Sequence, residues 1–356
     1  MPAQAFDRSF AVMTENPPPE VVVVGGGIAA AEFVLALRDL AGDRVGITLV
    51  APNPDLLVRP LQVAEPLGAD RIERRPLSGL GVRFVQAAVS AIEPGRVLLR
   101  GGGVQRYDTL LLAPGARRLP AFDDALHIGE EGALETLRDE ILAGGVRSVA
   151  FVAPTLTGWL LPLYEAALLT ARLGAQVSLH TPEATPLELF GDAAVGRALA
   201  EAGVEFLGGR RTGAPAPAAD RIVSLPLVRG PRIPGVPTTG LYELIPVDAY
   251  GRVDGLAGVY AVGDATDHPL KQGGIACQQA VTAAAHIAAP ATATPFVPRV
   301  RATLLTGGEP IELGEGAAPG KVPGRYLRFW LQDDQDPQDP TCVTSPPVRA
   351  PARSST

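Results

Sequence analysis

The first regular pattern along the chain is four consecutive β-branched residues, Val21-Val22-Val23-Val24, running into three glycines. A short unbroken apolar run predicts a parallel strand covered on both faces, whereas a half-exposed strand would alternate. The period then changes. Ile28, Ala31, Val34, Leu35 and Leu37 recur at helical spacing, with Arg38 and Asp39 near the end, and predict a helix over Ile28–Leu40. Val45–Val50 supplies the next apolar strand, so Val21–Val50 reads as one βαβ unit. Strands are also predicted at Val82–Val89, Arg96–Leu99 and Thr109–Ala113, the last ending at Pro114-Gly115.

The pattern starts afresh at the strand Ser148–Ala153. A helix over Leu161–Leu173, a strand at Gln176–His180 and a helix over Ala193–Ala202 follow. Two such units predict an α/β protein in which a second nucleotide-type fold interrupts a first. The proline- and alanine-rich stretch Thr212–Ala219 reads as a surface loop, and the one from Ala288 to Pro298 as a linker. Residues 1–19 read as a loose leader, with Met13 an alternative start. The tail 332–356, rich in Asp, Pro and Ser, lacks the apolar residues to build a core.

Composition narrows the class. With 356 residues, 46% hydrophobic and 19% charged, the chain is globular and long enough for more than one domain. A net charge of -7 argues against a nucleic-acid partner, whose binders carry basic stripes. The two cysteines, Cys277 and Cys342, form neither a C-x-x-C dithiol nor a disulfide framework, which fits a reducing cytoplasm. There is no signal-peptide pattern, and no apolar run reaches the ~18 residues of a spanning helix. The expected protein is cytoplasmic, soluble or peripheral to the inner face of a membrane, its oligomeric state left open.

The chemistry gathers at the strand–helix junctions. In a βαβ dinucleotide site the first glycine permits the tight turn and the second lets backbone approach the pyrophosphate. A third small residue lets helix and strand pack closely, and the helix N-terminus attracts the phosphates. Gly25, Gly27 and Ala30 take these places. The acidic residue that would close the second strand and bind ribose is replaced by Ala51, leaving Asn53 or Asp55 as substitutes.

Two further segments resemble motifs of the two-dinucleotide-binding flavoproteins, the pyridine nucleotide-disulfide oxidoreductase superfamily. Val259-Tyr260-Ala261-Val262-Gly263-Asp264-Ala265 resembles the closing motif, whose aspartate binds the ribityl chain. Read without the resemblance, Asp264 is a helix N-cap. Tyr107-Asp108-Thr109-Leu110-Leu111-Leu112-Ala113-Pro114-Gly115-Ala116 resembles the middle motif, with Pro114 where threonine is usual. The resemblance implies FAD held by Gly25, Gly27, Ala30, Gly115, Gly263 and Asp264. It also implies an α/β fold of two Rossmann-like FAD/NAD(P)-binding domains, the second inserted into the first, plus a small C-terminal piece. The segments are 20–117 and 240–290 for FAD, 118–239 for the NAD(P)-like domain, and 295–331 at the C-terminus.

Three shorter stretches resemble the sulfide:quinone oxidoreductase and type II NADH dehydrogenase branch. Asp55-Leu56-Leu57-Val58-Arg59-Pro60-Leu61 resembles the loop beside the flavin, which brings in Arg59 and Pro60. Leu270-Lys271-Gln272-Gly273-Gly274 resembles the Lys-Thr-Gly segment at the flavin's pyrimidine end and quinone pocket, which brings in Lys271, Gln272, Gly273 and Gly274. Pro162-Leu163-Tyr164-Glu165 resembles the Pro-x-Tyr-Glu of the sulfide:quinone branch, with Glu165 as a proton-handling carboxylate. A helix beginning near Gly274 would direct its positive end at a reduced, anionic flavin, and Lys271 would add a cation.

Each residue also has a plainer reading. Lys271 and Arg59 could be surface charges, Glu165 a solvent-facing carboxylate and His268 a turn residue before Pro269. Cys277 is either a thiolate near a helix N-terminus or a packing thiol. The second turn, Ala153-Pro154-Thr155-Leu156-Thr157-Gly158-Trp159-Leu160, offers a single glycine beside a bulky tryptophan, and His180-Thr181-Pro182-Glu183 brings no arginine for a 2′-phosphate. NAD(P)H binding in the usual mode is therefore disfavoured. The cysteine that sulfide chemistry needs near this turn is absent, with Thr155, Thr157 and Trp159 in its region. The basic-aromatic run Gly320–Leu331 reads as a membrane-interface segment or as packing on the first domain. The expectation is an FAD-dependent oxidoreductase taking electrons from a small-molecule donor and passing them to a quinone-like or other acceptor. The alternatives are an NAD(P)H-dependent flavin reductase and a non-catalytic FAD-binding or redox-sensing protein.

Overall fold

The computed structural model describes residues 17–68, 74–154, 158–211, 213–316 and 320–332, apart from the side chain of Pro60. The expectations for the leader, Thr155, Thr157, Thr212, Cys342 and the tail beyond Gln332 lie outside the described residues.

Strand β1 (Glu20–Val24), helix α1 (Ile28–Ala41), β2 (Gly46–Ala51), β3 (Arg83–Gln86) and β4 (Thr109–Leu112) come first. Next are β5 (Leu126–His127), α2 (Ala133–Leu142), β6 (Ser148–Val152), α3 (Leu161–Ala171), β7 (Gln176–His180), α4 (Ala193–Glu201), β8 (Val204–Leu207) and β9 (Arg221–Ser224). The chain then returns through β10 (Val259–Ala261) and α5 (Gly273–Ala288), and ends in β11 (Arg301–Leu304), β12 (Ile311–Gly314) and α6 (Arg325–Gln332).

One parallel sheet has the order β10-β4-β1-β2-β3, and the other β5-β9-β6-β7-β8. Because β10 returns from beyond the second sheet to pair with β4, the second unit is an insertion in the first. The valines of β1 are buried on both faces, as an unbroken apolar strand requires. Leu111, Ala276, Ala280 and Ala283 join α1 on one side of the sheet, and Ile245, Val253 and Val259 cover the other.

The structure departs from the sequence pattern at Val82–Val89. The Ala87 N–H donates to the Ala51 carbonyl as the last rung beside β2. Val89–Glu93 then pairs antiparallel with Arg96–Leu99 in a separate small sheet, so one apolar run serves two sheets. Helix α2, not anticipated, buries Leu134, Leu137 and Ile141 along one side.

The C-terminal piece straps the two units together. Ala302, Leu304 and Leu313 of the β11–β12 hairpin lie in the core of the inserted unit, whereas Leu327 and Leu331 of α6 lie in that of the first. The Glu32 carboxylate on α1 accepts the Leu327 N–H at 2.7 Å and the Tyr326 N–H at 3.2 Å, capping the start of α6. The aromatic run packs on the first unit through these contacts. Tyr326 donates its hydroxyl to Asp39 at 2.9 Å, and Arg75 stands over Trp330 at 5.4 Å from its ring centre. Of the run's aromatic residues, Phe329 alone is largely exposed, at 58%.

Candidate cofactor and redox site

The three glycines after β1 have different physical reasons. Gly25 has φ +125°, and a Cβ there would lie 2.1 Å from the Ala113 carbonyl oxygen, so this glycine serves the crossing of β1 and β4. A Cβ on Gly26 would press on Leu77 and Ala51 at 2.8 and 3.0 Å. A Cβ on Gly27 would meet nothing within 4 Å and would project into a cleft of about 1430 Å³. Gly27 is the N-cap of α1, and the first amides of that helix have no partners within it. Ala30, fully buried, lets α1 lie close to the sheet. The result is a cradle that fits a diphosphate, with backbone donors at a helix N-terminus and no side chain in the way. Ala51, Asn53 and Asp55, the residues weighed for the ribose, line the same cleft.

A second helix start meets the first. Gln272 is the N-cap of α5, and a Cβ on Gly273 would lie 2.8 Å from the Ile28 side chain, so the two helix N-termini stand close together. Gly273 and Gly274 line the same cleft. Gln272 is buried, and its Nε2 donates to the Arg301 carbonyl, tying α5 to the hairpin.

Asp264 lies between the two helices in a short 3₁₀ turn, Gly263–Ala265, and is not an N-cap of α5. Gly263 (φ +75°) donates its N–H to Gln279 Oε1 at 2.8 Å, and its carbonyl accepts from the Thr266 hydroxyl at 2.9 Å. The turn is thus fixed, while the Asp264 carboxylate has no hydrogen-bond partner among the described residues. Burial pushes its pKa up, against the pull of Lys271, Arg118 and Arg59. Lys271 donates to the Thr266 carbonyl, and burial lowers its pKa while Asp264 and Asp267 raise it. Lys271 is therefore a cation held inside the cleft, not a solvated loop lysine.

Arg59, on the 3₁₀ turn Arg59–Leu61 that also contains Pro60, and Gly115 (φ +72°) line the cleft too. Arg118, which sequence reasoning missed, stands beside them. Its nearest signal was the Pro114-Gly115 turn four residues earlier. His268 is a turn residue whose Nδ1 accepts the Leu270 N–H at 3.2 Å.

Two of the candidate catalytic residues are buried. Glu165 does not face solvent. It is buried, forms an ion pair with Lys321 of the C-terminal strap, and accepts the Leu305 N–H at 3.0 Å. Burial pushes its pKa up while Lys321 pulls it down. Cys277 is in the second turn of α5, but its thiol is enclosed, and burial with the nearby Glu32 raises its pKa well above the ordinary value. A thiolate is disfavoured there, so the packing role explains Cys277 better than redox chemistry. In a Cys342→Ser background, the native protein is expected to resist a thiol-titrating disulfide reagent at pH 8 and to react once unfolded. Rapid labelling of the folded protein would contradict this burial.

No protein-family model matches the sequence, and no curated protein matches it either. Solved structures do. The sulfide:quinone oxidoreductase of the hyperthermophilic bacterium Aquifex aeolicus superposes with a TM-score of 0.70 at 19% identity, over 88% of this chain and 90% of that one. A ferredoxin reductase from Rhodopseudomonas palustris gives 0.64 at 19% identity, over 83% and 81%. An NAD-dependent persulfide reductase from A. fulgidus gives 0.62 at 18% identity, over 80% of this chain and 62% of that one. The chain shares the fold of these oxidoreductases, two Rossmann-like units with the second inserted into the first.

The turn after β6 is the one weighed above as a second dinucleotide site. Its one glycine has another task here. A Cβ on Gly158 would lie 2.1 Å from the Pro269 carbonyl oxygen, so Gly158 serves the contact with the loop that carries Lys271. Trp159 packs edge-on to Phe190, with ring centres 6.0 Å apart. Past the end of β7, Glu183 accepts the Tyr164 hydroxyl at 2.7 Å and the Glu188 N–H at 3.2 Å, so its oxygens are engaged within the protein.

Proposed function

We propose that this protein is an FAD-dependent oxidoreductase that receives electrons from a small donor other than NAD(P)H and passes them to a quinone-like or other small acceptor. The observation that carries this reading is the pair of abutting helix N-termini, with Gly27 open to the cleft and Asp264 unpaired between them. Such a site presents backbone donors for the diphosphate and a carboxylate for the hydroxyls of a ribityl chain. Bound FAD would supply reversible uptake of electrons at its isoalloxazine ring. The chain's own contribution is positional and electrostatic. The N-terminus of α5 and Lys271 would set positive charge beside a bound, reduced flavin. Trp159, Leu161 and Pro162 form an apolar wall that limits water in the cleft. Glu165, fixed by Lys321, lines the same wall and is the carboxyl group nearest to a proton-handling role there.

The engagement of Gly158 and Glu183 within the protein supports a donor other than NAD(P)H. Among the described residues Cys277 offers no exposed thiolate for sulfide chemistry, which favours the flavin as the redox centre. A peripheral membrane contact would fall to Phe329, the exposed aromatic residue of the C-terminal helix. No described helix is long and apolar enough to cross one.

Anaerobic mixing of the FAD-loaded protein tests this reading. NADH and NADPH are expected to leave the flavin absorbance unchanged over minutes, whereas the chemically reduced protein is reoxidised by a water-soluble quinone. Bleaching by a nicotinamide within seconds would establish the reductase alternative. Loading without any reaction would establish the non-catalytic one.

A further inference from the structure

The connections between the two units carry a charged patch on the side that faces away from the cleft. Arg117–Leu119 pairs antiparallel with Leu227–Arg229, which sets Arg117 directly opposite Arg229 and Arg118 opposite Val228. Successive residues of a strand point to opposite faces. Arg118 and Val228 line the cleft, and Arg117 and Arg229 do not. The stretch that follows repeats the division: Pro231 and Ile233 line the cleft, while Arg232 between them does not.

One carboxylate serves the three outer arginines. Glu243 accepts two hydrogen bonds from Arg232, at 2.5 and 2.8 Å, and stands 4.0 Å from Arg229. Its pKa lies below the ordinary value, first because of the Arg232 hydrogen bond and less through the charges of Arg229 and Arg117. The Arg117 side chain has no hydrogen bond or ion pair of its own among the described residues.

This arrangement works against the fold in two ways. Like charges directly opposite each other in an antiparallel pair repel. Arg232 and Glu243 both have left-handed backbones, φ +51° and +53°, which residues other than glycine adopt only under constraint. The constraint is visible: Gly230 donates its N–H to the Tyr242 carbonyl at 2.7 Å, and a Cβ on Gly230 would lie 1.7 Å from the Glu243 carbonyl oxygen. Repulsion and backbone strain gathered on one surface are a mark of function. The same loop, closed by the bridge between Thr239 and Leu244, presents Leu241 at 74% exposure beside a half-buried Tyr242.

Three arginines against one glutamate leave an excess of positive charge, on a chain whose net charge is -7. An acidic partner is repelled by the surface at large and drawn to this point, which orients it. A small free anion would use the guanidiniums but gain nothing from an exposed leucine, whereas a protein surface uses both. Arginine and tyrosine are also the residues that interfaces favour.

We propose that the outer face of this connection, Arg117, Arg229 and Arg232 with Leu241 and Tyr242, docks a partner protein through a cluster of its carboxylates. The surface lies outside the cofactor cleft, and the proposal does not depend on what the cleft binds.

A dye-labelled polyglutamate peptide is the probe, with binding followed by fluorescence anisotropy at low salt. Wild-type protein is expected to bind it, and Arg117→Gln combined with Arg229→Gln to weaken binding by about tenfold or more. Arg197→Gln, at an exposed position of α4, is expected to leave it unchanged. Glu243→Gln removes the competing carboxylate and is expected to tighten it. Thermal unfolding of Arg117→Gln separates docking from support of the fold: a midpoint at or above wild type is expected, and a lower one would mean that the arginine serves stability. The proposal is overturned if wild type does not bind the peptide, or if Arg118→Gln abolishes binding while the double variant keeps it, because the peptide then enters the cleft. If the double variant does not fold, Glu243→Gln decides: tighter binding supports the docking surface, and unchanged binding refutes it. A wild-type dimer that Arg117→Gln dissolves would make a second copy the occupant and overturn the assignment to another protein.

Discussion

Gly27→Val is expected to abolish FAD retention, with a loss of more than about 100-fold in affinity, while the protein without cofactor keeps its stability to within about 1 kcal/mol. The two effects separate because a Cβ at Gly27 would meet no protein atom within 4 Å. Its φ of -91° is also ordinary for any residue. The cost to the fold is the poorer N-cap that valine makes. The cost to binding is larger, because isopropyl bulk would stand where phosphate must approach the amides of α1. Gly25→Ala is the counterpart. It forces a Cβ into the Ala113 carbonyl at φ +125°, so it is expected to damage the fold itself. Thermal unfolding without cofactor, run beside FAD titration, distinguishes the two. A Gly27→Val protein that holds FAD as tightly as wild type would remove the diphosphate from this turn.

Glu165→Ala is expected to be the more damaging single change for stability. The Glu165 and Lys321 side chains are 2% and 8% exposed, so removing the carboxylate leaves an ammonium in a nearly dry place. Breaking a buried pair from one side typically costs about 3–5 kcal/mol. It would also orphan the Leu305 N–H, loosening the hairpin from α3. Glu165→Leu with Lys321→Met removes both charges and is expected to recover most of the loss. Denaturant unfolding of the two singles and the double gives the coupling between the sites. A Glu165→Ala protein as stable as wild type would mean that the strap is not held by this pair.

The two βαβ units were legible because each strand is an unbroken apolar run and each helix switches to the helical period. The glycines at 25–27 were legible as a group but not as individuals. Sequence alone cannot show that Gly25 answers to Ala113 while Gly27 answers to the cleft. Gly158 is the sharper case. It looked like the remnant of a second phosphate loop, and the structure uses it to admit the Pro269 carbonyl, 111 positions further on. The ion pair of Glu165 with Lys321 joins residues 156 positions apart, and no local pattern announces it. Arg118 was missed because one arginine of the pair Arg117-Arg118 looks like the other; the pairing with Leu227–Arg229 and the turn at Gly129 are what place it in the cleft. Helix α2 did carry a signal, Leu134, Leu137 and Ile141 at helical spacing, in the stretch between the strands at Thr109–Ala113 and Ser148–Ala153 that was left without an element.

The most direct test of the account is the stoichiometry of flavin in the purified wild-type protein, read by its visible spectrum after incubation with FAD and removal of the excess. The account predicts close to one FAD per chain, lost in Gly27→Val. A folded wild-type protein that takes up no flavin would contradict it.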